Sequence, residues 1–128
     1  MTSSGFIEVE GGELFYRSDG AGPPVVCVHG APVLDHRVWN AQIEELSQTH
    51  EVIRYDLRGY GRSTIPTSPY RHCDDLAALI RGLGLTAPTL CGLSFGGTVA
   101  LDTVLTQPDL VSRLILNAVA PVTGWDCW

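Results

Sequence analysis

The run Gly92-Leu93-Ser94-Phe95-Gly96 fits a G-x-S-x-G pattern. A serine hydroxyl is a weak nucleophile until its surroundings expose and activate it. A sharp turn from strand to helix lifts the hydroxyl above a sheet edge. It also places behind it the free N–H groups and positive dipole end of a helix start. Gly92 and Gly96 flank the turn, where a Cβ would meet crowded backbone. The chemistry this suggests is attack of Ser94 on a carbonyl carbon, followed by release of the acyl group to water. The competing reading is a serine in an ordinary strand–helix turn. The apolar stretch before the motif and the helical stretch after it favour the nucleophile.

Acyl transfer also needs two N–H donors aimed at the developing oxyanion. One is expected from the backbone of Phe95. The other is expected from His29-Gly30-Ala31-Pro32, which directly follows an apolar strand. Gly30 permits close backbone approach and Pro32 stiffens the exit, so Ala31 is the expected donor. His29 could be read as a base. Its place in this loop fits a supporting role better, with the ring bonded to loop backbone. For His36, His50 and His72 a solvated or helix-surface position is the simpler reading.

These residues need elements to hold them. Two short strands open the chain, Phe6–Glu10 and Glu13–Arg17, with Gly11-Gly12 as a two-residue hairpin turn. Gly20, Gly22, Pro23 and Pro24 make a loop. Val25–Val28 is a continuous β-branched run, as in a parallel strand covered on both faces. Val38, Trp39, Ile43 and Leu46 recur at helical spacing, and Val52–Tyr55 is another strand. Cys73, Leu76, Ala77, Ile80 and Leu83 predict a helix closed by Gly84 at its C′ position. Thr89–Leu93 predicts a strand, and Phe95–Leu105 a helix stopped near Pro108. Leu114–Leu116 predicts a last buried strand. After the hairpin, strands and helices alternate, which is the order of an α/β fold with a mostly parallel sheet and flanking helices. Ligands in such sheets sit at the carboxyl ends of the strands, where Ser94 and His29 fall.

The 128 residues suit one domain, and 45% hydrophobic content is enough for a packed core. The net charge of −6 and the absence of a Lys/Arg cluster argue against nucleic acid or anionic membrane as partners. The amino terminus has no basic or apolar leader, and no apolar run approaches the ~18 residues of a membrane span. Cys27, Cys73, Cys91 and Cys127 form no C-x-x-C pair, so no metal site is expected. Cys27 and Cys91 lie in apolar runs and read as buried residues of a cytoplasmic protein.

Three motifs in order resemble the α/β-hydrolase fold family. His29-Gly30-Ala31-Pro32, with Asp35–Trp39 after it, resembles its H-G-x-P stretch. Asp56-Leu57-Arg58-Gly59-Tyr60-Gly61-Arg62-Ser63 resembles its D-x-R-G-x-G-x-S loop. Gly92–Gly97 resembles its elbow. In the second motif Asp56 and Arg58 can form a supporting ion pair beside the pocket. The resemblance implies about six strands and three helices here, no cofactor, and a small-molecule substrate. Family members that open epoxides or remove halides carry aspartate at the elbow. Serine implies esterases, lactonases, thioesterases, carbon–carbon hydrolases or cofactor-free haloperoxidases.

The resemblance also implies a triad in the order Ser, Asp or Glu, His. Only 34 residues follow Ser94, and none is histidine. Residues 1–128 are therefore expected to form a partial core that stops where a cap would begin, with Asp126 as a cap-entry residue. The base and acid would come from a missing carboxyl-terminal half. An inactive fragment and one half of a split hydrolase are the alternatives. The last strand would lack its usual neighbour, so self-association is expected.

Overall fold

A computed structural model describes residues 2–119. Six strands form one sheet: β1 (Thr2–Val9), β2 (Gly12–Asp19), β3 (Pro24–Val28), β4 (Glu51–Tyr55), β5 (Thr89–Leu93) and β6 (Arg113–Asn117). Three α-helices flank it: α1 (Asn40–Leu46), α2 (His72–Gly82) and α3 (Phe95–Thr106). The strand order is β1-β2-β4-β3-β5-β6. β1 and β2 are antiparallel to each other, and β2 is antiparallel to β4; the other pairs are parallel. This is the predicted architecture.

The apolar run on β3 is buried on both faces because alternate side chains point opposite ways. Val26 and Val28 join Leu14, Ile53, Leu76, Leu79, Ile80, Leu90 and Val99 in the larger core, on the face covered by α2 and α3. Val25 and Cys27 join Trp39 and Val52 on the other face, with Ile43 and Leu46 of α1 packed over them. α2 ends as predicted. Gly84 sits at φ +65°, its N–H bonds Arg81 O at 3.0 Å, and Leu85 N–H bonds Ile80 O at 3.0 Å, which is a Schellman closure.

Four expectations are corrected. The hairpin turn is Glu10-Gly11, because Val9 pairs with Gly12. The first part of the predicted helix around Trp39 is a 3-10 turn, His36–Trp39, capped by Asp35 Oδ1 accepting from Arg37 N at 2.9 Å. Cys27 is buried as expected, but its register partner Cys91 on β5 is only half-buried. Contact between the two thiols pushes Cys27 well up and pulls Cys91 down to about 7. β6 is only partly covered: Leu114 packs against the larger core, but Ile115 is 52% and Leu116 42% exposed. Cys127 and Asp126 lie outside the described residues.

Candidate active site

Ser94 stands at the β5–α3 junction with φ +53° and ψ −116°, and its side chain is exposed. A serine in that backbone region is strained, and the strain persists only where neighbours enforce it. They do so here. Ser94 N–H donates to Asn117 O at 2.8 Å, which fastens the turn to the end of β6. Ser94 O accepts from Gly97 N at 2.9 Å and starts the α3 ladder. A Cβ on Gly92 would lie 2.4 Å from Gly97 Cα, and one on Gly96 would lie 2.1 Å from Val28 O. The elbow therefore closes only because both positions are glycine.

The loop after β3 lies against this turn. A Cβ on Gly30 would be 3.1 Å from Leu93 O and 3.4 Å from Ser94 Cβ. The structure thus brings Ser94, Gly30, Gly92 and Gly96 together, with Ala31 next along the loop and Phe95 heading α3.

His29 is fully buried and both ring nitrogens are engaged. Nδ1 lies 2.6 Å from Gly30 O, and Nε2 accepts from Leu57 N–H at 3.0 Å. The ring meets Tyr60 edge-on at 5.3 Å. Both bonds run to loop backbone.

The Asp56–Arg58 pair does not form. Arg58 is 2% exposed and forks onto Asp75, with Nε to Oδ2 at 2.9 Å and Nη2 to Oδ1 at 2.6 Å. It also donates to Glu10 O at 2.7 Å and stacks over Tyr70 at 4.8 Å. Asp56 instead ties two loops together. Its Oδ1 accepts from His36 N at 2.7 Å and lies 2.7 Å from His36 Nδ1; its Oδ2 accepts from Arg62 N at 2.9 Å. His36 is therefore buried and paired rather than solvated. Asp35, His36 and Asp56 hold one potential metal ligand each within 4.8 Å of one another. Those atoms are already engaged, Asp35 with the Arg37 side chain and Asp56 with His36, which fits a structural hub.

His72 is half-buried rather than solvated. Its ring packs edge-on against Phe95 at 5.4 Å and Tyr70 at 4.9 Å. Its Nδ1 is buried with no hydrogen-bond partner among the described residues. Burial, with Arg58 nearby, pulls His72 down to about 4, and burial also lowers His29. Both rings hold a proton less tightly in the folded chain than unfolded. The unfolded chain therefore binds more protons below the ordinary value of 6.5, and stability falls as pH drops from there towards about 4. His72→Phe removes the His72 share. Urea midpoints at pH 7 and pH 5 should then diverge less than in the parent, and equal divergence would contradict the burial argument.

Residues 23–127 match the alpha/beta hydrolase fold family. The chain belongs to the α/β-hydrolase fold family. This α/β-hydrolase-fold chain is 33% identical over 111 residues to the pimeloyl-[acyl-carrier protein] methyl ester esterase of Aliivibrio fischeri, covering 84% of the chain and 41% of that protein. Among solved structures it is similar to a thermophilic esterase from Thermogutta terrifontis, with TM-score 0.83, 37% identity, and coverage of 92% of the chain and 46% of the other. It is also similar to the epoxide hydrolase CorEH, with TM-score 0.90, 28% identity, and coverage of 100% and 47%. The chain thus spans less than half the length of these relatives. No helix among the described residues is long and apolar enough to cross a membrane.

Proposed function

We propose that these residues supply the nucleophile and oxyanion hole of a serine hydrolase acting on an ester, lactone or related carbonyl-containing small molecule. The observation that carries this is the enforced, exposed Ser94 turn with the Gly30 loop against it. Ser94 Oγ adds to the carbonyl carbon, and the Ala31 and Phe95 N–H groups hold the oxyanion. The tetrahedral adduct then expels the alcohol, leaving an acyl-enzyme for water to cleave. The esterase relatives support this substrate class. Serine at the elbow supports it over epoxide opening.

The general base comes from outside residues 2–119 in this reading. His29 has both nitrogens engaged, and His36 is held by Asp56. His50 bonds Thr49 Oγ1 beside the start of β4, at the opposite end of that strand from the carboxyl-end loops. His72 packs against Phe95 with its Nε2 beside the Tyr70 hydroxyl.

The oxyanion assignment rests on backbone groups, so side-chain changes that keep the N–H should be mild. Phe95→Met should leave most of the rate of Ser94 phosphonylation by a fluorophosphonate. Ala31→Pro removes a donor and should slow it by roughly 10²–10³. A rate unchanged by Ala31→Pro would place the donor elsewhere.

A further inference from the structure

We infer that His29 is a positioning residue whose neutral ring, protonated at Nδ1, fixes the plane of the Gly30–Ala31 peptide and so aims the Ala31 N–H. This deepens the Ser94 reading and rests on it for its kinetic consequence.

The hydrogen bonds leave one arrangement. Leu57 N–H can only donate, so His29 Nε2 must be the bare, accepting nitrogen. Gly30 O can only accept, so Nδ1 must carry the proton. A ring protonated on both nitrogens would turn a proton towards the Leu57 N–H and lose that bond. The groups around the ring act in different directions. Burial and His36 oppose its charge, while the Gly30 carbonyl, Asp56 and Asp35 favour it; His29 in turn opposes charge on His72. Burial dominates, which keeps the ring neutral.

The consequence lies in the peptide unit. Gly30 C=O and Ala31 N–H belong to the same planar group, and that peptide is trans. The carbonyl and the N–H therefore point in opposite directions. Gripping Gly30 O on the His29 side turns the Ala31 N–H to the other side. The loop cannot slide to compensate, because Gly30 is against Leu93 O and Ser94 Cβ. Leu57 adds a second anchor from the loop after β4, so the ring's tilt is fixed from both ends. The ring thus sets donor direction without touching a substrate.

Two variants separate the two nitrogens. In His29→Asn the carboxamide nitrogen sits near the Nδ1 position and can still donate to Gly30 O. In His29→Gln the carboxamide reaches the Nε2 position and can still accept from Leu57. The expected result is Ser94 phosphonylation within a few-fold of the parent for His29→Asn. For His29→Gln it falls by about 100-fold, the scale of an ångström-sized misplacement of a catalytic group. Thermal melts show whether the two variants are equally folded. In the parent, nitrogen NMR of the 128-residue chain labelled at its four histidines should show one ring with a protonated Nδ1 and bare Nε2 that resists protonation below the ordinary histidine range. A His29 ring protonated at Nε2 overturns the inference, whether or not the variants fold. So does equal loss of rate in Asn and Gln variants of equal stability. A parent chain unlabelled at Ser94 contradicts the nucleophile reading instead, and His29 is then decided by the ring signals alone.

Discussion

Gly96→Ala should unfold the chain or leave it unable to close the elbow. The added Cβ would stand 2.1 Å from Val28 O and 2.4 Å from His29 O. Both are backbone atoms, one on Val28, the last residue of β3, in register with Tyr55 of β4 and Gly92 of β5, and one on the residue after it, so neither can yield like a side-chain tip. Ordinary overpacking costs about 1–3 kcal/mol because side chains can rotate away. Here α3 itself must lift from the sheet, and the expected loss is about 3 kcal/mol or more, a large share of a small domain's ~5–15 kcal/mol. Gly84→Ala is the control. Gly84 has φ +65° but nothing within 4 Å of an added Cβ, so only backbone strain of about 1–2 kcal/mol is expected. Urea denaturation of the two variants measures the difference. Equal losses would mean that conformation, not the approach of helix to strand, requires glycine at 96.

Asp75→Ala should destabilise the chain by roughly 3–5 kcal/mol, because it leaves the Arg58 guanidinium buried without its carboxylate. Arg58 would keep Glu10 O and the Tyr70 ring. Neither supplies a compensating negative charge. Replacing both partners tests whether the loss is desolvation or lost packing. Arg58→Met with Asp75→Leu removes the charges while keeping volume, and such exchanges are often neutral. The double variant should therefore be more stable than Asp75→Ala alone. A loss below about 1 kcal/mol for Asp75→Ala would show that water reaches the pair and screens it as at a surface.

The parts of this fold legible in sequence are those written as local patterns. The β3 run announces a strand covered on both faces, and Val25/Cys27 against Val26/Val28 divide between two cores accordingly. The G-x-S-x-G spacing announces the elbow because only glycine fits where α3 crosses β3. Gly84 announces a helix end because that site needs positive φ. The hairpin shows where such reading stops. A Gly-Gly doublet permits two registers, and pairing of Val9 with Gly12 selects the one with Gly11 at φ +83°. Charge partners were not legible either. Asp56 and Arg58 are two apart, yet each reaches a residue brought in by another element, His36 and Asp75. Those choices follow from how the loops after β3 and β4 meet α2. The burial of His36 is hidden for the same reason, since it depends on an aspartate 20 residues away. The apolar residues of β6 predict burial, but composition states what a face prefers and not what covers it.

Ser94 is the nucleophile in the proposed reaction. Covalent capture of the 128-residue chain by a fluorophosphonate, with the adduct located by fragmentation mass spectrometry, tests this role. A single adduct on Ser94 is expected, formed slowly because no described histidine is placed as its base in the proposed reading, and absent from Ser94→Ala. An adduct that survives Ser94→Ala, or no adduct in a chain shown to be folded, would contradict it.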